Sequence, residues 1–496
     1  MSFGPPPSPF TQSQRAADER AKRRRTRMWG ALVLVLAAIV GGTGWLLLGD
    51  RGGDNNSPLE AKSTHQPAAD EVRETVERPP TGGAGRLVAA IGDDKLKPVE
   101  SQVTGGTWAT DKVLAKGIGS VIQGIKIDAD DELVWHRQLS GEICGWTQDV
   151  TVDGRTAVLF KDKAGGACTK LLFFEVDTGV KVWEVDIPWK ESAYDLYPNV
   201  SLTKGVVAVA YGSGSAGFDM KTGSKLWTRK GTSACREGGF TGGRALLLRQ
   251  DCHTKDWKSS YRVQRIEPRS GKAEWTYQAN EHLNFVYLVS SDPVVLAVSA
   301  GEVGLSDLIS LNDDGKYQTT IRFSGDHYQV KCADGLEGAS EDALKYSAVN
   351  QCTQIVVSGD QAFVTTGEVT EGIAHETNSI VAFDLKTGNT GIKFDAGKDQ
   401  ELFPLRMSGD RILALKVGTD NFAPNQLVSL DPATGKESSY YSFEAFQEVR
   451  ALVTAAESDV VVEHGRIFFG SRAVQGGGTK NQPAYVWRAF GVGSAK

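Results

Sequence analysis

An all-β propeller of eight four-stranded blades, with seven as the alternative, is the fold that the sequence predicts, on three observations. One turn returns at nearly constant spacing. Short runs of Val, Ile, Leu and Phe alternate with Gly, Asp and Thr turns from about residue 108 to 490. Nothing between the repeats demands a helix. Repeats of this length mean a stacked or radial array, and four strands in about 45 residues is one blade. At 496 residues the chain also exceeds what one hydrophobic core usually covers, so a repeat architecture is expected. Its 56 glycines suit many tight turns.

The turn comes first. Its clearest copies are Phe174-Glu-Val-Asp-Thr-Gly-Val-Lys-Val-Trp183, Phe218-Asp-Met-Lys-Thr-Gly-Ser-Lys-Leu-Trp227 and Ile266-Glu-Pro-Arg-Ser-Gly-Lys-Ala-Glu-Trp275. Weaker copies run Phe383-Asp-Leu-Lys-Thr-Gly388, Leu430-Asp-Pro-Ala-Thr-Gly435 and Leu311-Asn-Asp-Asp-Gly315, and an eroded first copy spans Ile127 to Trp135. The polar residue after the apolar one falls at 128, 175, 219, 267, 312, 384 and 431, giving intervals of 47, 44, 48, 45, 72 and 47.

In each copy a strand ends on a carboxylate that can accept nearby backbone N–H groups. Thr-Gly completes the turn, with Gly free to take positive φ. A new strand starts, and Trp arrives four residues after Gly. The residues that carry the motif are Asp177, Thr178, Gly179 and Trp183; Asp219, Thr222, Gly223 and Trp227; Gly271 and Trp275; Trp135; Asp384 and Gly388; Asp431 and Gly435. The tryptophans are expected between adjacent blades, where each blade buries the face it cannot cover alone.

The Asp-x-x-Thr-Gly-x-x-x-Trp pattern resembles the pyrroloquinoline-quinone-like (PQQ-like) repeat propellers. That family includes the quinoprotein dehydrogenases and BamB-like non-catalytic scaffold lipoproteins. The resemblance implies the fold over about residues 108–490, commonly with eight blades. Seven turns plus the terminal strand Tyr485–Phe490 make eight, if a segment near 86–100 supplies the last outer strand and closes the ring.

Ahead of the repeats lies a different kind of sequence. Residues 1–28 read as a disordered tail with seven basic and two acidic residues, a net +5 that leaves −11 to the rest of a chain whose net charge is −6. An acidic remainder gives no support to nucleic-acid binding. Residues 29–48 carry no charge, and as a helix would span about 30 Å, a bilayer's hydrocarbon thickness. With the basic block before it, this predicts a single transmembrane helix with a cytoplasmic N-terminus. Residues 49–85 are polar and read as a flexible spacer. The propeller domain, 86–496, would then be extracellular or periplasmic, attached to the cell membrane.

The interval of 72 exceeds its neighbours by about 25 residues, an insertion at roughly 325–350 in which Ser340 could cap one or two helical turns. All six cysteines follow the membrane segment, where disulfides persist. Pairing by neighbours gives Cys144–Cys168, Cys235–Cys252 and Cys332–Cys352, and no clustered Cys/His spacing favours a metal site instead.

Catalytic signals are weak. Gly212-Ser-Gly-Ser-Ala-Gly217 matches a dinucleotide fingerprint but is followed by a short strand rather than a helix, so it reads as a hairpin loop. Asp128–Glu132 lacks the glycine and remaining ligands of a calcium loop. The resemblance implies that catalytic members hold their quinone beside two adjacent cysteines, and no two cysteines here are adjacent. No catalytic, cofactor-binding or metal residue is therefore nominated. The sequence reads as a non-enzymatic binding or scaffold module with a protein partner. A quinone- and calcium-dependent dehydrogenase and an extracytoplasmic ligand sensor are the alternatives.

Overall fold

Strands such as Val206–Ala210 are buried at every position, because both faces of each sheet are covered by another sheet. Successive side chains point to opposite faces. Ala157 and Leu159 accordingly pack toward the third blade, while Val158 and Phe160 pack toward the first. Eight such apolar clusters alternate with eight four-stranded sheets around a ring.

In this computed structural model the described residues are 67–93, 96–129, 131–188, 198–253, 258–300, 304–323, 328–332, 349–370, 376–419, 423–445, 452–453, 458–479 and 482–495. All belong to one compact unit, Ser63–Lys496. The expected membrane span at 29–48, the basic tail and the helical turns at Ser340 lie outside them. Among the described residues no helix is long and apolar enough to cross a membrane.

Blade 1 runs from Thr107–Ala109 to Leu133–Gln138, blade 2 from Ile143–Trp146 to Lys181–Asp186, and blade 3 from Asn199–Thr203 to Lys225–Lys230. Blade 4 spans Cys235–Thr241 to Ala273–Gln278 and blade 5 Phe285–Ser291 to Tyr317–Arg322. Blade 6 spans Ile355–Ser358 to Thr390–Asp395 and blade 7 Gln400–Ser408 to Glu437–Phe443. The first strands of adjoining blades touch one another, so they form the inner wall around the axis.

Blade 8 takes three strands from the end of the chain (Ser458–Glu463, Arg466–Ser471, Val486–Ser494) and its outer strand, Gly85–Asp93, from the beginning. Eight blades therefore need only seven turns, since the eighth outer strand does not follow a hairpin. Arg86 and Arg466 of this blade both pair with Asp128 of blade 1, at 2.5 and 3.0 Å. The acidic run at 128–132 thus helps to fasten the closed ring.

Two expectations need adjusting. Residues 67–84 fall in the expected spacer, yet they lie against the propeller. Their own composition has little apolar surface to bury; the order comes from hydrogen bonds and ion pairs to the propeller's turns, which composition does not reveal. Also, the extra residues before the sixth turn are divided. Part lies between blades 5 and 6, and part is the connection 366–378 inside blade 6, with the small hairpin Val369–Thr370 to Glu376–Thr377.

Candidate functional site: the turns, the seam and the two ends of the ring

The turns of blades 3, 6 and 7 are each closed by their own carboxylate, and that of blade 5 by the Asn312 amide oxygen. The Asp219 carboxylate accepts from the N–H groups of Lys221 and Thr222 and from the Thr222 hydroxyl, at 3.0–3.1 Å. Asp384 accepts the corresponding three bonds from Lys386 and Thr387, and Asp431 accepts from the N–H groups of Ala433 and Thr434. Bonds from Thr387 and Thr434 hold Asp384 and Asp431 below the usual carboxylate range. At Asp219 burial works the other way, but bonds from Arg269 and Thr222 outweigh it. In blade 2 the turn position is Glu175, as the spacing has it, although Asp177 directly precedes Thr-Gly. Glu175 accepts from Thr178 there, whereas Asp177 reaches back to the hydroxyl of Thr110 in blade 1.

The tryptophans fasten one blade to the next. Trp135 donates its indole N–H to the carbonyl of Val176, Trp183 to Met220 and Trp227 to Pro268, at 2.7–3.1 Å. Their rings lie on Gly179, Gly223 and Gly271 of the following blade, and Trp275 lies on Gly315. These residues are brought together in pairs at blade interfaces and do not converge on one cavity.

The disulfides pair as expected: Cys144–Cys168, Cys235–Cys252 and Cys332–Cys352. The second and third join residues directly opposite on paired strands. The third closes the loop that contains the insertion. Val349, where the chain returns, is buried and accepts from the N–H of Leu288 on the inner strand of blade 5.

A polar cluster that sequence reasoning missed sits at the seam between blades 8 and 1. Lys116 is fully buried and donates to the carbonyls of Thr104 and Ser471 and to the Thr107 hydroxyl. Arg472 donates to Asp459 at 2.9 Å, with both side chains buried, and Gln148 of blade 2 donates to the same carboxylate at 3.1 Å. Burial pushes the Lys116 ammonium down to about 7; Asp459 opposes this and Arg472 adds to it. The only hint in the sequence is a lone lysine in the run Val113-Leu-Ala-Lys-Gly-Ile118.

At the end of the ring formed by the first hairpin of each blade, residues 70–77 lie across the opening. Along the outer strand of blade 6 runs a cavity of about 770 Å³ lined by Tyr328, Thr366, Glu368, Asn378, Lys393 and Asp395, among others. Beside it, burial and the adjacent Glu368 carboxyl raise Glu401 above the usual range. Among the described residues no group of three or more His, Cys, Asp or Glu is arranged to hold a metal.

A ring of eight four-stranded blades, four of its seams joined by a tryptophan from one blade and a glycine turn from the next, defines a β-propeller of repeated turns. Residues 88–241 match the family model described as "Outer membrane protein assembly factor BamB", and four-stranded blades of the same kind continue through the rest of the ring. No curated protein matches it in sequence. Among solved structures, BamB from Moraxella catarrhalis is 13% identical, with 84% of this chain and 98% of that one covered and a TM-score of 0.41. A europium-containing methanol dehydrogenase is 10% identical over 82% and 93%, with a TM-score of 0.45. The quinohemoprotein alcohol dehydrogenase of Comamonas testosteroni is 13% identical over 83% and 77%, with a TM-score of 0.42. The adjacent-cysteine pair that the resemblance implies for a bound quinone is not among the residues present, since each of the six cysteines is bonded to a non-adjacent one.

Proposed function

We propose that this chain is a membrane-anchored, extracytoplasmic binding and scaffold module whose partner is a protein. One observation carries the reading. The buried charged groups at the seam between blades 8 and 1, Lys116, Asp459 and Arg472, direct their polar atoms at one another and at backbone carbonyls of the seam. Their chemistry holds a ring closed instead of facing a substrate. The match of residues 88–241 to the BamB family model supports the same direction, and the three disulfides support an oxidising compartment. The anchor rests on the uncharged run at 29–48 and the basic block before it.

Photo-crosslinking in native membranes tests the reading, with the crosslinker placed at the rim of the blade 6 cavity, for example at Lys398. A discrete crosslinked protein, absent when the label sits on the outer strand of blade 3, is the expected result. Saturable binding of pyrroloquinoline quinone with calcium, accompanied by substrate-dependent dye reduction, would overturn it.

A further inference from the structure

The segment ahead of the propeller contributes no strand to any of the eight sheets, which are complete without residues 67–83. Even so, it crosses one opening of the ring. Its backbone bonds with 150–153 of blade 2 and with Gly205 of blade 3. The Arg73 guanidinium then reaches the carbonyl of Ala109 in blade 1 at 2.7 Å and Glu463 in blade 8 at 3.4 Å. The next residue, Glu74, makes a two-pronged pair with Arg244 in blade 4, at 2.6 and 2.7 Å. Consecutive residues thus touch blades half a ring apart.

Three residues on, the Glu77 carboxylate is 2% exposed. It accepts from Arg406 of blade 7 at 2.6 Å and from the Gly465 N–H of blade 8, while its own N–H donates to Ser408. That is a built receptor for a carboxylate, because guanidinium and backbone N–H groups converge on it. The contacts are polar side-chain bonds and ion pairs on an extended chain; the intervening Val76 is 63% exposed.

We propose that this end of the ring is a binding surface for extended peptides carrying two carboxylates three residues apart, and that residues 70–77 fill it as the chain's own ligand. A partner segment of that chemistry binds there by displacing them. The inference does not depend on the scaffold reading above, since it concerns what the surface recognises and what covers it.

The test uses the full-length chain and a fluorescein-labelled peptide of residues 68–79, followed by fluorescence polarisation. In E74K/E77K the strap is released while its receptor residues are unchanged. Trypsin then cuts after Arg73, and the peptide binds saturably. Wild type binds it about tenfold more weakly or worse, because a self-occupied site lowers apparent affinity by its open fraction. A peptide carrying both Glu-to-Lys changes does not bind. Persistent trypsin protection in the variant overturns the proposal, and so does a released strap with no peptide binding, or equal binding to wild type. E74Q, whose ion pair lies at the exposed rim, keeps the test open if the double variant fails to fold. It should bind the peptide several-fold more tightly than wild type, and unchanged affinity counts against the proposal.

Discussion

The indole of Trp183 lies on Gly223, and its N–H reaches past that glycine to the carbonyl of Met220, 2.8 Å away. Tryptophan and glycine belong to adjacent blades. Gly223 sits at φ +71°, and a Cβ there would stand 2.8 Å from Cγ of Trp183. The turn needs glycine twice over, for its backbone and for the ring that covers it.

Gly223→Ala should therefore lower stability by about 1–3 kcal/mol from backbone strain alone, and the collision adds to that. Trp227→Ala should cost about 3–5 kcal/mol, the usual loss for a large buried aromatic. Denaturant unfolding of the purified protein checks both. A change within about 0.5 kcal/mol at either position, the range of a neutral surface site, would show that the interlock does not hold the blades.

Lys116 makes stability depend on pH in a particular direction. Its pKa is near 7 when folded, against 10.5 ordinarily. Between those values the unfolded chain binds a proton that the folded chain does not, so stability rises with pH across the window. Lys116→Met removes that term and leaves the Thr104 carbonyl short of a partner, at a cost of about 1–3 kcal/mol. The melting-temperature gap between wild type and variant should widen from pH 7 to pH 9. A gap that stays constant across that range would mean that the buried amine stays charged.

Peptide mapping without reduction should recover the three cysteine pairs. Cys235→Ala with Cys252→Ala should lower stability by about 3 kcal/mol, as expected for opening a loop of this size. Free thiols at most of the six positions in protein taken from its native host would instead argue against an oxidising compartment.

Protease added to intact cells should digest the propeller and spare a tag on the N-terminus. The reverse protection pattern would contradict the orientation derived from the basic block before residue 29.

The ring was legible because its rule is local. The residue four positions after the turn glycine packs on the next blade's turn glycine even where the motif has decayed. Thr319 stands there against Gly388, and Ile392 against Gly435. Spacing therefore survived the loss of tryptophan, and disulfides between neighbours in sequence were just as accessible. What stayed hidden was non-local. Glu77 meets Arg406, 329 positions away, and nothing near either residue announces the other. Asp177 looked like the turn carboxylate because it precedes Thr-Gly, yet Glu175, two positions earlier, accepts the turn bond.

The outer strand Gly85–Asp93 has a consequence in time. Its only partner in the sheet, Val486–Ser494, is made about 390 residues later, which at ordinary rates of synthesis means roughly 20–80 s. Throughout that interval the strand is an open edge, the kind of surface on which chains aggregate. Loss of the strand Val486–Ser494 would make that interval permanent, so a short C-terminal truncation that removes it should harm folding far more than its length suggests.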